Sequence, residues 1–179
     1  MAKTTFAGHP LHPQLISAPS ALLPFSLVMD MMYDMTGDES YADAAYYSMM
    51  GGYLGGAAAG LAGAGDYFDI PPESHTKQIA NLHASLNIGI MGLYSLNLLM
   101  RRDRLPRTGK LPMLLNAVGT AGLFISAWYG GHMVYEHGMR VKGVSPVADG
   151  PEMKLPGDKQ IERPFSTLEE VAPMDGPRA

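Results

Sequence analysis

Between residues 14 and 134 the chain carries four apolar blocks, and each is long enough to cross a hydrocarbon core, which takes roughly 20 helical residues. No other feature narrows the possible folds so far. A backbone in lipid must satisfy its own hydrogen bonds, and four separate spans of this length do so as helices. The mean hydropathy of the whole chain lies near zero and hides this partition, because residues 140–179 are polar and rich in proline. The pattern predicts an all-α integral membrane four-helix bundle with an extended polar C-terminal tail. Residues 1–13 form an N-terminal arm, 14–139 the transmembrane domain, and 140–179 the acidic tail. No cationic stretch followed by a short apolar core and a small-residue cleavage site opens the sequence, so membrane insertion is expected to rest on the first span.

The first span, "LISAPSALLPFSLVMDMMYDM" (15–35), contains Pro19, Pro24 and Asp30. These residues predict a bent helix packed against neighbours, since freed backbone groups must find partners in lipid. The second span runs from about Tyr41 to Asp66. Its glycines 51, 52, 55, 56 and 60 make overlapping G-x-x-x-G pairs that let two backbones approach closely. The third span covers about 77–100 and the fourth 111–138. Between them, residues 101–110 hold five Lys or Arg, whereas the turn at 36–40 on the same side holds none. By density of positive charge that side faces the cytoplasm, which places both termini outside.

The formal net charge is −4 and the sequence pI is about 5.8, without a basic stripe, so lipid and protein rather than nucleic acid are the expected partners. The absence of cysteine excludes disulfides, thiolate metal sites and thiol nucleophiles. No Ser/His/Asp spacing, phosphate loop or paired catalytic carboxylates mark a hydrolase or kinase. The spans show no inverted repeat, which weakens a transporter reading. Fourteen methionines are better explained as adaptable packing than as copper ligands. Asp30, inside a span, is expected either to pair with Ser26 or to mark a proton path.

An even number of spans puts the N-terminus, the 66–75 loop and the tail on one face, and all six histidines fall at that end. His83 and His132 lie within spans and level with each other, where ionisable groups face a bundle interior. A b-type haem needs two axial imidazoles. A bare transition-metal ion would need three or four ligands, which His9, His12, Asp66, His83 and His132 could supply. Spans three and four are joined by a short loop and should lie about 8–10 Å apart. That is too close to sandwich a haem between His83 and His132. A diagonal pair of His12 with His83 is therefore favoured, with His9 and His132 as further candidates. Asn87, one turn after His83, could orient its ring. Each histidine could also simply bond a neighbouring helix, leaving no cofactor at all. In "GHPLHPQL" (8–15) Pro13 suits the first turn of span one. The residue before each proline is expected to be extended, which makes the motif a lid or ligand arm over the histidine end.

Taken together, "GHPLHPQL", "GAGDYFDI", "HASLN" and "GGHMVYEHG" resemble the DUF2231 family of predicted bacterial membrane proteins, over roughly residues 8–143. The resemblance implies a four-helix membrane module of the bacterial inner membrane. Such modules can be fused to Rieske iron–sulfur or cytochrome c-like domains, which implies extracytoplasmic electron transfer. The family pattern lands on His9, His12, Asp66, His83 and His132. Where such a redox domain would follow, this chain has its acidic tail, so a separate redox subunit would exchange electrons with it. The alternative is a non-catalytic structural or interaction subunit of a larger respiratory or photosynthetic complex, docking through the Gly-rich helix and the tail.

Overall fold

The structure, a computed structural model, describes residues 3–7, 9–102, 109–141 and 152–154. Most of the basic loop and nearly all of the tail lie outside these residues. In chain order the elements are β1 (Lys3–Phe6), β2 (His9–Pro10), α1 (Leu11–Leu15), α2 (Ser17–Thr36), α3 (Glu39–Asp69), α4 (His75–Arg101), α5 (Lys110–Tyr135) and β3 (Glu152–Lys154).

Local chemistry sets the helix ends. Gly37 adopts φ +71° and closes α2 in the left-handed conformation that glycine takes without penalty. Asp38 caps α3 by accepting from the Ser40 amide at 2.9 Å, and hydrogen bonding from the Ser40 side chain and then its amide holds the carboxyl below the usual carboxylate range. Ser74 caps α4 through the Lys77 amide at 3.1 Å, just after Pro71 and Pro72 have ended α3. The helix runs through Pro24 without interruption, and the break falls earlier, at Ile16 between α1 and α2. His12 precedes Pro13 yet is helical, whereas His9 is extended as expected for a pre-proline residue. Proline in a first turn removes no helical hydrogen bond, and the His12 ring gains a partner on α3 described below.

α2 packs along α3 and α4 along α5, with narrower contacts α3–α4 and α2–α5 closing the ring. The result is an up-down bundle in which α2 and α4 occupy one diagonal and run in the same direction. Three segments, Leu11–Thr36, His75–Arg101 and Lys110–Tyr135, are long and apolar enough to cross a membrane. α3 has the length, at 31 residues, but its glycines, tyrosines and acidic ends lower its hydropathy.

The partition of side chains suits lipid rather than water. Small or polar residues fill the interior, among them Ala42, Ala45, Ser26, Asn97, Asn116 and Ser126, while Leu61, Ile88, Leu99, Phe124 and Trp128 point outward and are exposed. In a bilayer the apolar outside needs no cover, and helices associate through close packing and internal polar bonds. The arm adds a small feature to the all-α expectation. β1 pairs antiparallel with β2 and parallel with β3, so a short piece of the tail returns to the histidine end. The Gln14 side-chain amide donates to the carbonyls of Phe6 at 3.1 Å and His9 at 3.2 Å, fastening the β1–β2 turn to α1.

The glycine-rich face of α3 is used within the chain, which corrects its assignment as a partner-docking face. A Cβ on Gly52 would stand 2.7 Å from Leu23 Cδ2, and one on Gly55 would stand 2.6 Å from Ala18 Cβ. α2 already occupies this face. Gly60 points to open space instead. Gly52→Ala is therefore expected to destabilise the bundle by about 1–3 kcal/mol through overpacking. Gly60→Ala should be neutral or slightly stabilising, because alanine is the better helix former. Thermal unfolding of both variants in detergent checks this contrast.

Candidate functional site

At the end of the bundle nearest the arm, two imidazoles face each other across the diagonal. His12, on α1, bonds the Ala59 carbonyl of α3 through Nδ1 at 2.7 Å. A carbonyl only accepts, so Nδ1 carries the proton and Nε2 presents its lone pair. One turn after Ala59, Gly63 admits the ring: a Cβ there would come within 2.8 Å of His12 Nδ1. His83, on α4, is held in the same manner by α5. Its Nδ1 donates to the Ser126 carbonyl at 2.9 Å and lies 3.0 Å from Ser126 Oγ. One turn on, a Cβ at Gly130 would stand 3.1 Å from His83 Cε1.

The two ring centroids are 6.4 Å apart with their planes perpendicular, at 89°. Asn87 supports the His83 side. Its Nδ2 donates to the His83 carbonyl at 2.8 Å and to Ser126 Oγ at 2.7 Å, while Nε2 of His83 is more distant, at 3.2 Å. An amide nitrogen has two hydrogens, and the two shorter bonds use both. Both imidazoles thus share one protonation pattern, Nδ1–H on a carbonyl and Nε2 as lone pair. That is the pattern in which a second bond orients a metal-ligating histidine.

The other sequence candidates lie elsewhere. His132 stacks on Trp128 with centroids 5.3 Å apart and planes 13° apart, and it meets His137 edge-on at 5.3 Å. His137 in turn contacts His75 at 5.4 Å, so these rings form a separate cluster at the same end. His137 itself follows α5, which ends at Tyr135 and not at 138. His9, in β2, is exposed and bonds the Ala7 carbonyl at 2.8 Å. Asp66 accepts from Arg140 at 2.6 and 2.9 Å, and Arg140 also reaches Asp69 at 3.3 Å, which ties the segment after α5 to the end of α3. Among the described residues no group of three or more His, Asp or Glu side chains is arranged to hold a metal ion.

Asp30 lies in a different polar centre at the opposite end, and its direct charged partner is Arg101 rather than Ser26. Arg101 grips it with two parallel bonds of 2.7 Å, and both side chains are at most 1% exposed. Arg101 Nε donates to Asn97 Oδ1 at 2.7 Å, and Asn116 Nδ2 donates to Asp30 Oδ2 at 2.7 Å. Asn97 in turn donates to the Pro112 carbonyl at 2.8 Å, and Ser26 lies 3.1 Å from Asn116 Nδ2. The sequence reading missed Arg101 because it stands at the border of a basic loop and was counted among the loop's cations. Ser126 was missed because a serine in a span carries no distinctive pattern. Asp30→Asn keeps the shape but leaves a buried guanidinium without its counter-charge, so it is expected to cost about 3–5 kcal/mol. A thermal melt in detergent reads this, and the loss should be far larger than for an exposed position such as Asp34→Asn.

Fold and site together define a membrane four-helix bundle with an internal histidine pair on one diagonal and a buried ion pair at the far end of the same diagonal. The chain belongs to the DUF2231 family of predicted membrane proteins, whose sequence profile matches residues 8–143. No curated protein and no solved structure matches it.

Proposed function

We propose that the chain is a membrane-embedded electron-transfer subunit that holds one haem b between His12 and His83. The observation that carries this reading is the matched pair of imidazoles, each fixed through Nδ1–H on a carbonyl so that Nε2 is the nitrogen left for a metal, which on His83 would displace the 3.2 Å Asn87 contact. Metal–imidazole bonds run about 2.0–2.1 Å, so two imidazoles sharing one ion would have centroids no more than roughly 6.5 Å apart. The observed separation is 6.4 Å. A haem held by His12 and His83 would supply one-electron ferric/ferrous chemistry. The chain's own part is to fix both rings, to hold Asn87 and Ser126 against His83, and to leave glycine at positions 63 and 130 where the rings pass α3 and α5.

This reading is tested by a reduced-minus-oxidised absorption spectrum of protein expressed with haem supply. A Soret band is expected, lost in both His12→Ala and His83→Ala and kept in His132→Ala. A second reading, a structural subunit without cofactor, draws support from the fact that each Nδ1 bond already ties two helices together. A spectrum without any Soret shift in the unaltered protein selects it.

The site sits at the end shared by the arm and the end of α5, and we assign that end to the extracytoplasmic face of a bacterial inner membrane, where a separate redox subunit would meet it. Burial of Arg101 removes one cation from the count but leaves Arg102, Arg104, Arg107 and Lys110 on the opposite side. Because the chain has no cysteine, Glu73→Cys offers a clean label site in the α3–α4 loop. It should react with an impermeant maleimide added to intact cells, and protection until lysis would reverse the orientation.

A further inference from the structure

We infer that the bundle consists of two copies of one helical hairpin, fused in tandem and arranged in parallel about an approximate two-fold axis that runs between His12 and His83 at one end and between Asp30 and Arg101 at the other. This inference does not depend on which cofactor, if any, occupies the site.

The first line of support is the register of α1–α2 against α4. Positions 71 residues apart correspond: His12 with His83, and Asp30 with Arg101. The buried residues of α2 are Pro19, Leu23, Ser26 and Asp30, and the same shift carries them onto Ile90, Tyr94, Asn97 and Arg101, all buried on α4. Outward positions agree as well, with Phe25 and Leu96 exposed at 47% and 49%.

The second line comes from the returning helices, where the shift is 67. Ala45, Met49, Gly52 and Ala59, buried on α3, map onto Pro112, Asn116, Gly119 and Ser126, buried on α5. The third line is decisive, because the two registers must agree in space and do. A Cβ on Gly52 would strike Leu23, and one on Gly119 would strike Tyr94, the residue that corresponds to Leu23. Gly55 meets Pro19, and Gly122 meets the corresponding Ile90. Gly63 meets His12, and Gly130 meets His83. Ala59 and Ser126, also equivalent, supply the two carbonyls that receive the Nδ1 protons. Four independent contacts between different helices thus recur at fixed offsets in both halves.

The repeat defines the site more sharply than the histidines alone. Whatever occupies it is centred on the axis and meets one imidazole from each hairpin in the same backbone setting. That favours a single central atom or a planar ligand over a cluster to one side. It also isolates what has diverged. Asn87 and Ser126 support His83, whereas the matching positions beside His12 are Ile16 and Ala59, which have no side-chain polar group. Asn87 and Ser126 are positioning residues of one half only.

A two-fold axis demands equal cross-hairpin distances, and the cysteine-free chain permits a direct test. Spin labels at Phe25→Cys with Trp128→Cys, and at Leu61→Cys with Leu96→Cys, mark symmetry-related pairs of exposed positions in the full chain. Their pulsed dipolar distance distributions should coincide, and clearly different mean distances would overturn the inference. A second experiment exchanges one interior layer between the halves. Asp30→Arg alone should sharply lower the melting temperature followed by Trp128 fluorescence. The variant S26N/D30R/M49N/N97S/R101D/N116M should recover more than half of the lost melting temperature. Melting no higher than Asp30→Arg would count against the axis. Neither readout uses haem, so failure here is separate from failure of the spectrum.

Discussion

The buried pair of Asp30 and Arg101 is the constraint on which the rest of the bundle depends. A lone charge at this depth in a low-dielectric interior is strongly unfavourable, and the pair is tolerated because each guanidinium nitrogen and both carboxylate oxygens have a hydrogen-bond partner. Both guanidinium edges are used, one on Asp30 and one on Asn97, while Asn116 supplies the further donor to Asp30. The two residues stand on α2 and α4, helices that face each other across the diagonal and not along a packed seam. The long arginine side chain bridges the diagonal, and its planar fork meets the carboxylate with two parallel bonds. The pair therefore sets the register of one hairpin against the other. His12 and His83 each lie 18 residues upstream of their member of the pair, roughly 27 Å along a helix. Register fixed at one membrane face consequently places the imidazoles opposite each other at the other face.

Within each hairpin a different force operates. Leucine against lipid gains little from burial inside the protein, so the helices need close packing to hold together. Glycines 52 and 55 on α3, and 119 and 122 on α5, bring the paired backbones close enough for Leu23 and Tyr94 to fill the space a side chain would otherwise take. Tyr94 adds a hydrogen bond to Thr120 at 3.0 Å, a polar contact that the Leu23 half lacks at the same place. Glycine packing and the ion pair are complementary. The first builds two hairpins, and the second joins them in one register.

Much of this was legible in the sequence, for physical reasons that can be named. Membrane thickness fixes span length, so the four helices and their alternation could be read from apolar runs, with ends displaced by a few residues where caps such as Ser74 intervene. Up-down topology then made His12 opposite His83 the favoured pairing, and that is how the rings lie. What escaped reading depends on azimuth about each helix axis, which hydropathy does not encode when small polar residues face inward. His132 shares the depth of His83 but turns toward Trp128. Asp66 was a candidate metal ligand, yet its partner is Arg140, which only a turn after α5 brings within reach. The duplication was hidden as well. The sign of charge differs between Asp30 and Arg101, and the two halves agree in burial and glycine placement more than in residue identity.

A tandem repeat with its site on the axis resolves a tension between symmetry and specialisation. Equivalent backbones give both imidazoles the same anchoring bond and the same glycine clearance, so the two-fold frame alone explains why the rings match. Supporting side chains are free to diverge, since they sit off the axis. On the His83 side they have become Asn87 and Ser126, which lock the ring in the middle of two long helices. On the His12 side the ring rides on the five-residue α1, and α1 is fastened through Gln14 to the β1–β2 turn and through β1 to β3. His83 is thus positioned by the membrane bundle itself, while His12 is positioned partly by the arm and the tail strand. The proline-rich "HPLHP" stretch (9–13) has its physical role in that difference: it stiffens the one imidazole of the pair that no long helix carries.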